Sequence, residues 1–339
     1  MKKKLTLLFF IFVQLLFASI AYSADNTSST IVQMDKAEAI IYGEVKRGGL
    51  IERLNDMETA LFGRSLPGSI SERQMQLLNF IQTGSAELPS LLFKLGVAEW
   101  AVSQTTQPFI PALGRIQKLE QNIDGTVHEG RPIGTRTERI LSILLTNPVT
   151  QIEVLVSTDK AIRGRFLESA GPGFSRKGDS IKIELAEDFI EDDNLIAPKG
   201  SQIVAEVAEV IRPGAFGRPG RVRFELKYLQ ILGPEELKVK FADPRKISGG
   251  GEKNVAAAAG ASMVGAVLLG PLGLATGLLI RGDSLEVGAG TEFYLQLDEA
   301  ARVSAFPIPS GLRRTDGPAD DNNNNKSTES IDSDLFIIP

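Results

Sequence analysis

The sequence predicts an α+β protein: an N-terminal array of short helices, then a C-terminal antiparallel β-sandwich or small barrel with an inserted apolar helical hairpin. Three observations carry that expectation. A 20-residue repeat punctuated by glycines runs through the first half. From Gln151 onward apolar and polar residues alternate. Within the strand-like half lies an uncharged run, "NVAAAAGASMVGAVLLGPLGLATGLLI" at 254–280.

Residues 1–24 stand apart from the fold. A basic "MKKK", an apolar "LTLLFFIFVQLLFASIA" and the small-x-small Ala21-Tyr22-Ser23 read as a cleaved export signal. The 339-residue chain has no cysteine, which excludes disulfides and tethering through a lipidated Cys. An envelope protein of this size, in the periplasm or outer membrane of a diderm bacterium, has core enough to need neither. The formal charge of −5 becomes −8 once Lys2, Lys3 and Lys4 leave with the signal. Nucleic acid is therefore excluded as a main partner, because phosphate neutralisation requires a basic surface.

The repeat places helices over 25–150. "YGEVKRGGLIERLNDMETAL" (42–61) aligns without a gap on "FGRSLPGSISERQMQLLNFI" (62–81). "RIQKLEQNIDG" (115–125) echoes "RLNDMETALFG" (53–63), and "GTRTER" (134–139) echoes "GSISER" (68–73). Ser69 with Glu72 and Thr135 with Glu138 have the spacing of capping boxes; Gly49 with Glu52 is the weaker version. Gly43, Gly63 and Gly125 fall where a helix ends in the left-handed position. Leu50, Leu54, Met57 and Leu61 form the apolar stripe between those signals, and 88–104 reads as a divergent unit. Glu52-Arg53, Glu72-Arg73 and Glu138-Arg139 then read as capping acids beside solvated arginines, or as an arginine row that reads a ligand. These units resemble G-S-L-x-E-R-L repeats of exported proteins from diderm bacteria, which implies a packing or adaptor module.

The second half reads as a β-domain over 151–306 and a polar, low-complexity tail over 307–339. "QIEVLV", "DSIKIEL", "SQIVAEVAEV", "RVRFELKYLQIL" and "ELKVKF" alternate between turn residues, and 281–306 supplies two or three further strands. "LIAPKGSQIVAEVAEV", "RVRFELKYLQILGPEELKVKF", the Gly/Ala-rich run and "LEVGAGTEFYLQL" follow one another over about 194–297. That order resembles the C-terminal β-barrel domain of the outer-membrane core subunit of type IV secretion (conjugation) channels. Pro198-Lys199-Gly200-Ser201 matches that family's P-x-G-[TS] strand opening. The resemblance implies a barrel with an apolar two-helix antenna between strands. The chain departs from the family in its N-terminal half, where the helical repeat replaces an anchor and a proline-rich stalk.

As one helix, 254–280 would extend roughly 40 Å, enough for a hydrocarbon core of about 30 Å. Pro271 would kink it or open a second, shorter arm. Small residues recur at Ala257, Ala261, Gly265, Gly273 and Gly277, a stripe that lets helices approach closely in lipid or between copies of the chain. The segment is thus expected to dip into a membrane as a hairpin, to span it, to pack on the protein's own sheet, or to form a loop.

Signals for catalysis are sparse. His128 lies in the loop "DGTVHEGRPIG" and reads as solvent-exposed, so no Cys–His or Ser-His-Asp arrangement is legible. The acidic "EDFIEDDN" (187–194) could offer oxygen ligands to calcium, but it reads first as an exposed turn. Arg212, Arg218, Arg221 and Arg223 surround a glycine-rich hairpin suited to an anionic glycan or lipid headgroup, or simply solvated. These observations lead to the expectation of a non-catalytic exported envelope protein without cofactor or metal. It would be a structural, adaptor or secretion-assembly component that touches the membrane through 254–280, binds an envelope partner or the cell wall, and can self-associate. A periplasmic glycan- or peptidoglycan-binding module is the alternative.

Overall fold

One connection, used four times, builds the helical half. The computed structural model describes residues 30–214, 220–242, 278–281 and 284–313. Helices α1 (30–42), α2 (Leu50–Phe62), α3 (Ile70–Leu78, extended by a π turn at Asn79–Thr83), α4 (Leu91–Ser103), α5 (Ala112–Asp124) and α6 (Ile133–Leu144) follow in order. Gly63 ends α2 at φ 74° and donates its N–H to Thr59. Gly43 and Gly125 repeat that left-handed stop at φ 82° and 70°, where a side chain would strain the backbone.

At four of the five junctions, a glutamate in the last turn of one helix clamps the next. Glu38, Glu58, Glu99 and Glu120 accept from the guanidinium groups of Arg53, Arg73, Arg115 and Arg136, with Nη2–Oε2 distances of 2.6–2.7 Å. Each arginine is the fourth residue of its helix. The same glutamates accept backbone N–H groups from Lys46, Leu66, Gln107 and His128 in the intervening loops. One carboxylate thus fixes both the loop and the next helix. The spacing from acid to base is 15 residues at the first two clamps and 16 at the last two, where the loop is one residue longer. At the α3–α4 junction Asn79 and Lys94 hold the corresponding places, and Lys94 reaches Glu138 at 2.6 Å instead.

These clamps correct the reading of the arginines as solvated. Arg53 and Arg136 are buried, and Arg73 nearly so. Charged side chains enter such a site only when paired and hydrogen-bonded. Glu58 raises the pKa of the Arg73 guanidinium by hydrogen bonding, and Glu38 does the same for Arg53. The Ser69–Glu72 capping box is present, and Gly49 is the N-cap of α2. The Thr135–Glu138 box is not, since α6 starts earlier, behind Pro132, and buries Thr137. The echo of "GTRTER" on "GSISER" also chose the wrong base: Arg136 is the clamp, while Arg139 pairs with Asp124. His128 is half-buried, not solvent-exposed, because its Nε2 lies 3.0 Å from Asp124.

The β-half combines a closed barrel with a flanking sheet. Its strands are β1 (Ile152–Val156), β2 (Ile162–Phe166), β3 (Ser180–Leu185), β4 (Phe189–Glu191), β5 (Asn194–Ala197) and β6 (Gln202–Ile211). They continue with β7 (Arg221–Gln230), β8 (Glu236–Phe241), β9 (Leu278–Arg281), β10 (Ser284–Val287), β11 (Glu292–Leu297) and β12 (Ala301–Pro307). Neighbours β11-β2-β3-β6-β7-β8 close a six-stranded barrel, β1-β12-β5-β4 form a second sheet, and β9 pairs with β10. All pairings are antiparallel. Side chains alternate inward and outward along each barrel strand, as a one-sided core requires. Phe166, Phe224, Phe241 and Phe293 fill the interior with ring centroids 5.0–5.2 Å apart. Gly164 leaves room for one of them, since a Cβ there would sit 2.7 Å from the Phe293 ring.

The antiparallel order gives the barrel two unlike ends. One end carries the β3–β6 connection and the β7–β8 turn, and against it lies α4. Trp100 Nε1 donates to Asp188 (3.0 Å), Thr106 N donates to the Lys199 carbonyl (2.8 Å), and Gly96 faces Leu232. The described chain up to Pro307 is one compact unit; residues 308–313, with a 3₁₀ turn at Ser310–Leu312, belong to another. The other end carries the β2–β3 loop (167–179), the end of β6, the start of β7 and the end of β8.

The apolar run mostly lies outside the described residues, including Ala257, Ala261, Gly265, Pro271, Gly273 and Gly277. Its last three residues, Leu278, Leu279 and Ile280, are strand β9 and pair with β10, so the helical hairpin expected over 254–280 does not extend to its end. Among the described residues, no helix is long and apolar enough to cross a membrane.

Candidate functional site

The β6–β7 hairpin brings sequence-distant basic residues to one groove. The ladder between these strands has register shifts at Val204/Ala205 and Val207/Glu209; bulges of this kind add local twist. Val222 points into the barrel, so Arg221 and Arg223 both point outward. Arg223 and Arg212 line an open groove of about 390 Å³ together with Ser175, Arg176, Lys177 and Glu209. Arg221, opposite Ile211 in the register, is exposed beside it, and Arg218 lies outside the described residues.

Arg176 and Lys177, which sequence reasoning passed over, come from the β2–β3 loop. That loop is held by its own hydrogen bonds. Ser175 N and Phe174 N donate to the Gly171 carbonyl, Gly171 N donates to Ser175 Oγ, and Arg176 N donates to Asp179 Oδ2 at 2.7 Å. A short ladder between Gly178, Asp179 and Val207 ties the loop to β6. Phe174 lies over Gly171 and leaves 57% of its surface exposed. The proximity of this loop to Arg212 follows only from the barrel order.

Bases outnumber acids in the groove, where Arg176, Lys177, Arg212 and Arg223 meet Glu209 alone, while Glu168, Asp179 and Glu286 lie on the adjoining loop and strand. Arg223 pairs with Glu209 at 3.3 Å, a solvent-exposed contact worth about 0–1 kcal/mol and easily exchanged. Guanidinium groups offer planar pairs of donors that match phosphate or carboxylate oxygens, so the groove suits an anion held from water.

The acidic segment 187–193 does not gather into one site. Glu187 pairs with Arg163 at 2.8 Å, Asp188 accepts from Trp100 and from the Lys199 amide, and Glu191 pairs with Lys160 at 3.2 Å. Asp192 and Asp193, at φ 46° and 61°, form the tight β4–β5 turn. Among the described residues no group of three or more His, Asp or Glu side chains could hold a metal ion.

A second concavity of about 890 Å³ runs between the helices and the barrel, lined in part by Phe109, Ile110, Leu232, Pro234 and Glu235. Comparison with protein-family models, with curated proteins and with solved structures found no match.

Proposed function

We propose that the chain is a non-catalytic component of a bacterial cell envelope. In this reading it is exported by its N-terminal signal and associates with the outer membrane through the barrel end distal to the helices. The helical module holds an envelope partner or the cell wall, so the two ends of the molecule work as an adaptor. One observation carries the reading most directly. The end of β8, which precedes 254–280 in the chain, and the basic groove share the end of the barrel opposite α4. An uncharged segment of 27 residues is therefore rooted on the side away from the helices.

Fractionation of cells producing the full chain or a deletion of 254–277 tests it. The intact protein is expected to stay with the outer membrane through a high-salt wash, and the deletion to wash off. Equal retention of both forms would remove the role assigned to the segment. Crosslinking in cells would then identify what the helical module touches.

A further inference from the structure

We infer that the barrel end formed by the β2–β3 loop and the adjoining ends of β6 and β7 is a docking face for an anionic lipid bilayer. This inference deepens the outer-membrane reading above and rests on its claim that this end faces a membrane. Three independent features of the described residues converge there.

First, four basic side chains (Arg176, Lys177, Arg212 and Arg223) line one groove against the single acid Glu209, and Arg221 is exposed two residues along β7, in a chain whose net charge is −5; Glu168, Asp179 and Glu286 lie at the margin of this face. Such a cluster against an acidic background orients the molecule in the field of a negative surface. Second, the same face presents Phe174, with Leu167 also exposed at 38%, in a loop whose turns are closed by hydrogen bonds. The ring lies over Gly171, where an added Cβ would stand 3.0 Å from its edge, and it still keeps more than half of its surface exposed. An exposed aromatic among cations suits the headgroup region, where the ring enters the acyl boundary and the cations meet phosphates. Third, the return from the apolar segment is anchored on this loop. Ala170 and Val287 exchange N–H···O=C bonds at 2.8 and 2.9 Å, and Gly171 abuts Glu286. The face and the root of the apolar segment therefore meet a membrane together.

Binding by the purified, exported protein to vesicles tests the inference. The probes are phosphatidylcholine vesicles with and without about one-third phosphatidylglycerol. The deletion of 254–277, which leaves β9 in place, is included because it isolates the face. It is expected to bind only the anionic vesicles, more weakly as salt rises. Each exposed basic residue contributes about five-fold, so R176E/K177E/R212E/R221E should weaken binding by at least about 100-fold. F174S should weaken it about ten-fold without changing the salt slope.

Equal binding to neutral and anionic vesicles would overturn the inference. So would wild-type binding by a folded charge-reversal variant, or charge-dependent capture by purified peptidoglycan without any vesicle binding. If the reversal variant does not fold, F174S and the salt titration of the deletion decide. The outcomes separate the two claims. Salt-resistant retention failing in cells removes the role of 254–280, whereas loss of charge-dependent vesicle binding removes the face.

Discussion

The Glu58 carboxylate is fully buried and receives Arg73 through two bonds, from Nε at 2.9 Å and Nη2 at 2.6 Å. It also accepts the Leu66 amide at 3.0 Å. A carboxylate near a helix C-terminus faces the negative end of the dipole, and the arginine offsets this. Because the arrangement recurs at Glu38, Glu99 and Glu120, the clamp, more than the capping box, defines the repeat.

Removing one partner leaves the other buried and charged. Arg73→Met is expected to cost about 3–5 kcal/mol, read from urea unfolding. The double variant E58Q/R73M should recover a large part of that loss, because it removes the orphaned charge. A single-variant cost below about 1 kcal/mol would show that Glu58 is rescued by solvent.

Acid should loosen the helical module. Burial pushes the Glu120 carboxyl upward, but its bonds to Arg136 and to the His128 amide prevail and hold it below its ordinary value. A carboxyl depressed on folding stabilises fully above its unfolded value of about 4.3. That contribution is lost as pH falls through the lower folded value. Thermal unfolding between pH 6 and about 3 should therefore fall more steeply for the wild type than for Glu120→Gln, with the two curves converging at the acid end. Parallel curves would exclude the clamp as the acid-sensitive element.

Gly200 joins the two halves at a point that admits no side chain. Its φ is +87°, and a Cβ would stand 2.4 Å from the Thr106 carbonyl oxygen. Gly200→Ala should cost at least about 1–2 kcal/mol from backbone strain alone, with the clash added. Hydrogen exchange should show the loss first at the Thr106 amide, which donates to Lys199.

Trp100 reports on the same junction and is the protein's single tryptophan. Its Nε1 donates to Asp188 at 3.0 Å, and its ring meets Phe306 edge-on with centroids 6.4 Å apart. Asp188→Ala should cost about 1.5–3 kcal/mol and shift the fluorescence emission. An unchanged spectrum with unchanged stability would show that the indole finds another acceptor.

Most elements were legible because their signals are local. Gly43, Gly63 and Gly125 stop helices, Ser69 with Glu72 starts one, and alternation marks β3, β6, β7 and β8. β2 was missed because "IRGRF" places a glycine at its inward centre, where the Phe293 ring takes the space. The arginines were misread because hydrophobic periodicity reports nothing about a charge matched 15 or 16 residues away. A search for glutamate and arginine at that separation would have found all four clamps.

From the order of residues alone come the helix stops, the strand alternation and the uncharged run at 254–280, all properties of neighbours along the chain. Only closure of the barrel decided that Arg176 and Lys177 stand beside Arg212 and Arg223, and that Phe174 shares their end. An antiparallel strand returns the chain to the rim it left, so alternate connections gather at opposite ends however far apart they are in sequence. That rule puts the helices at one end of the barrel and the basic face at the other.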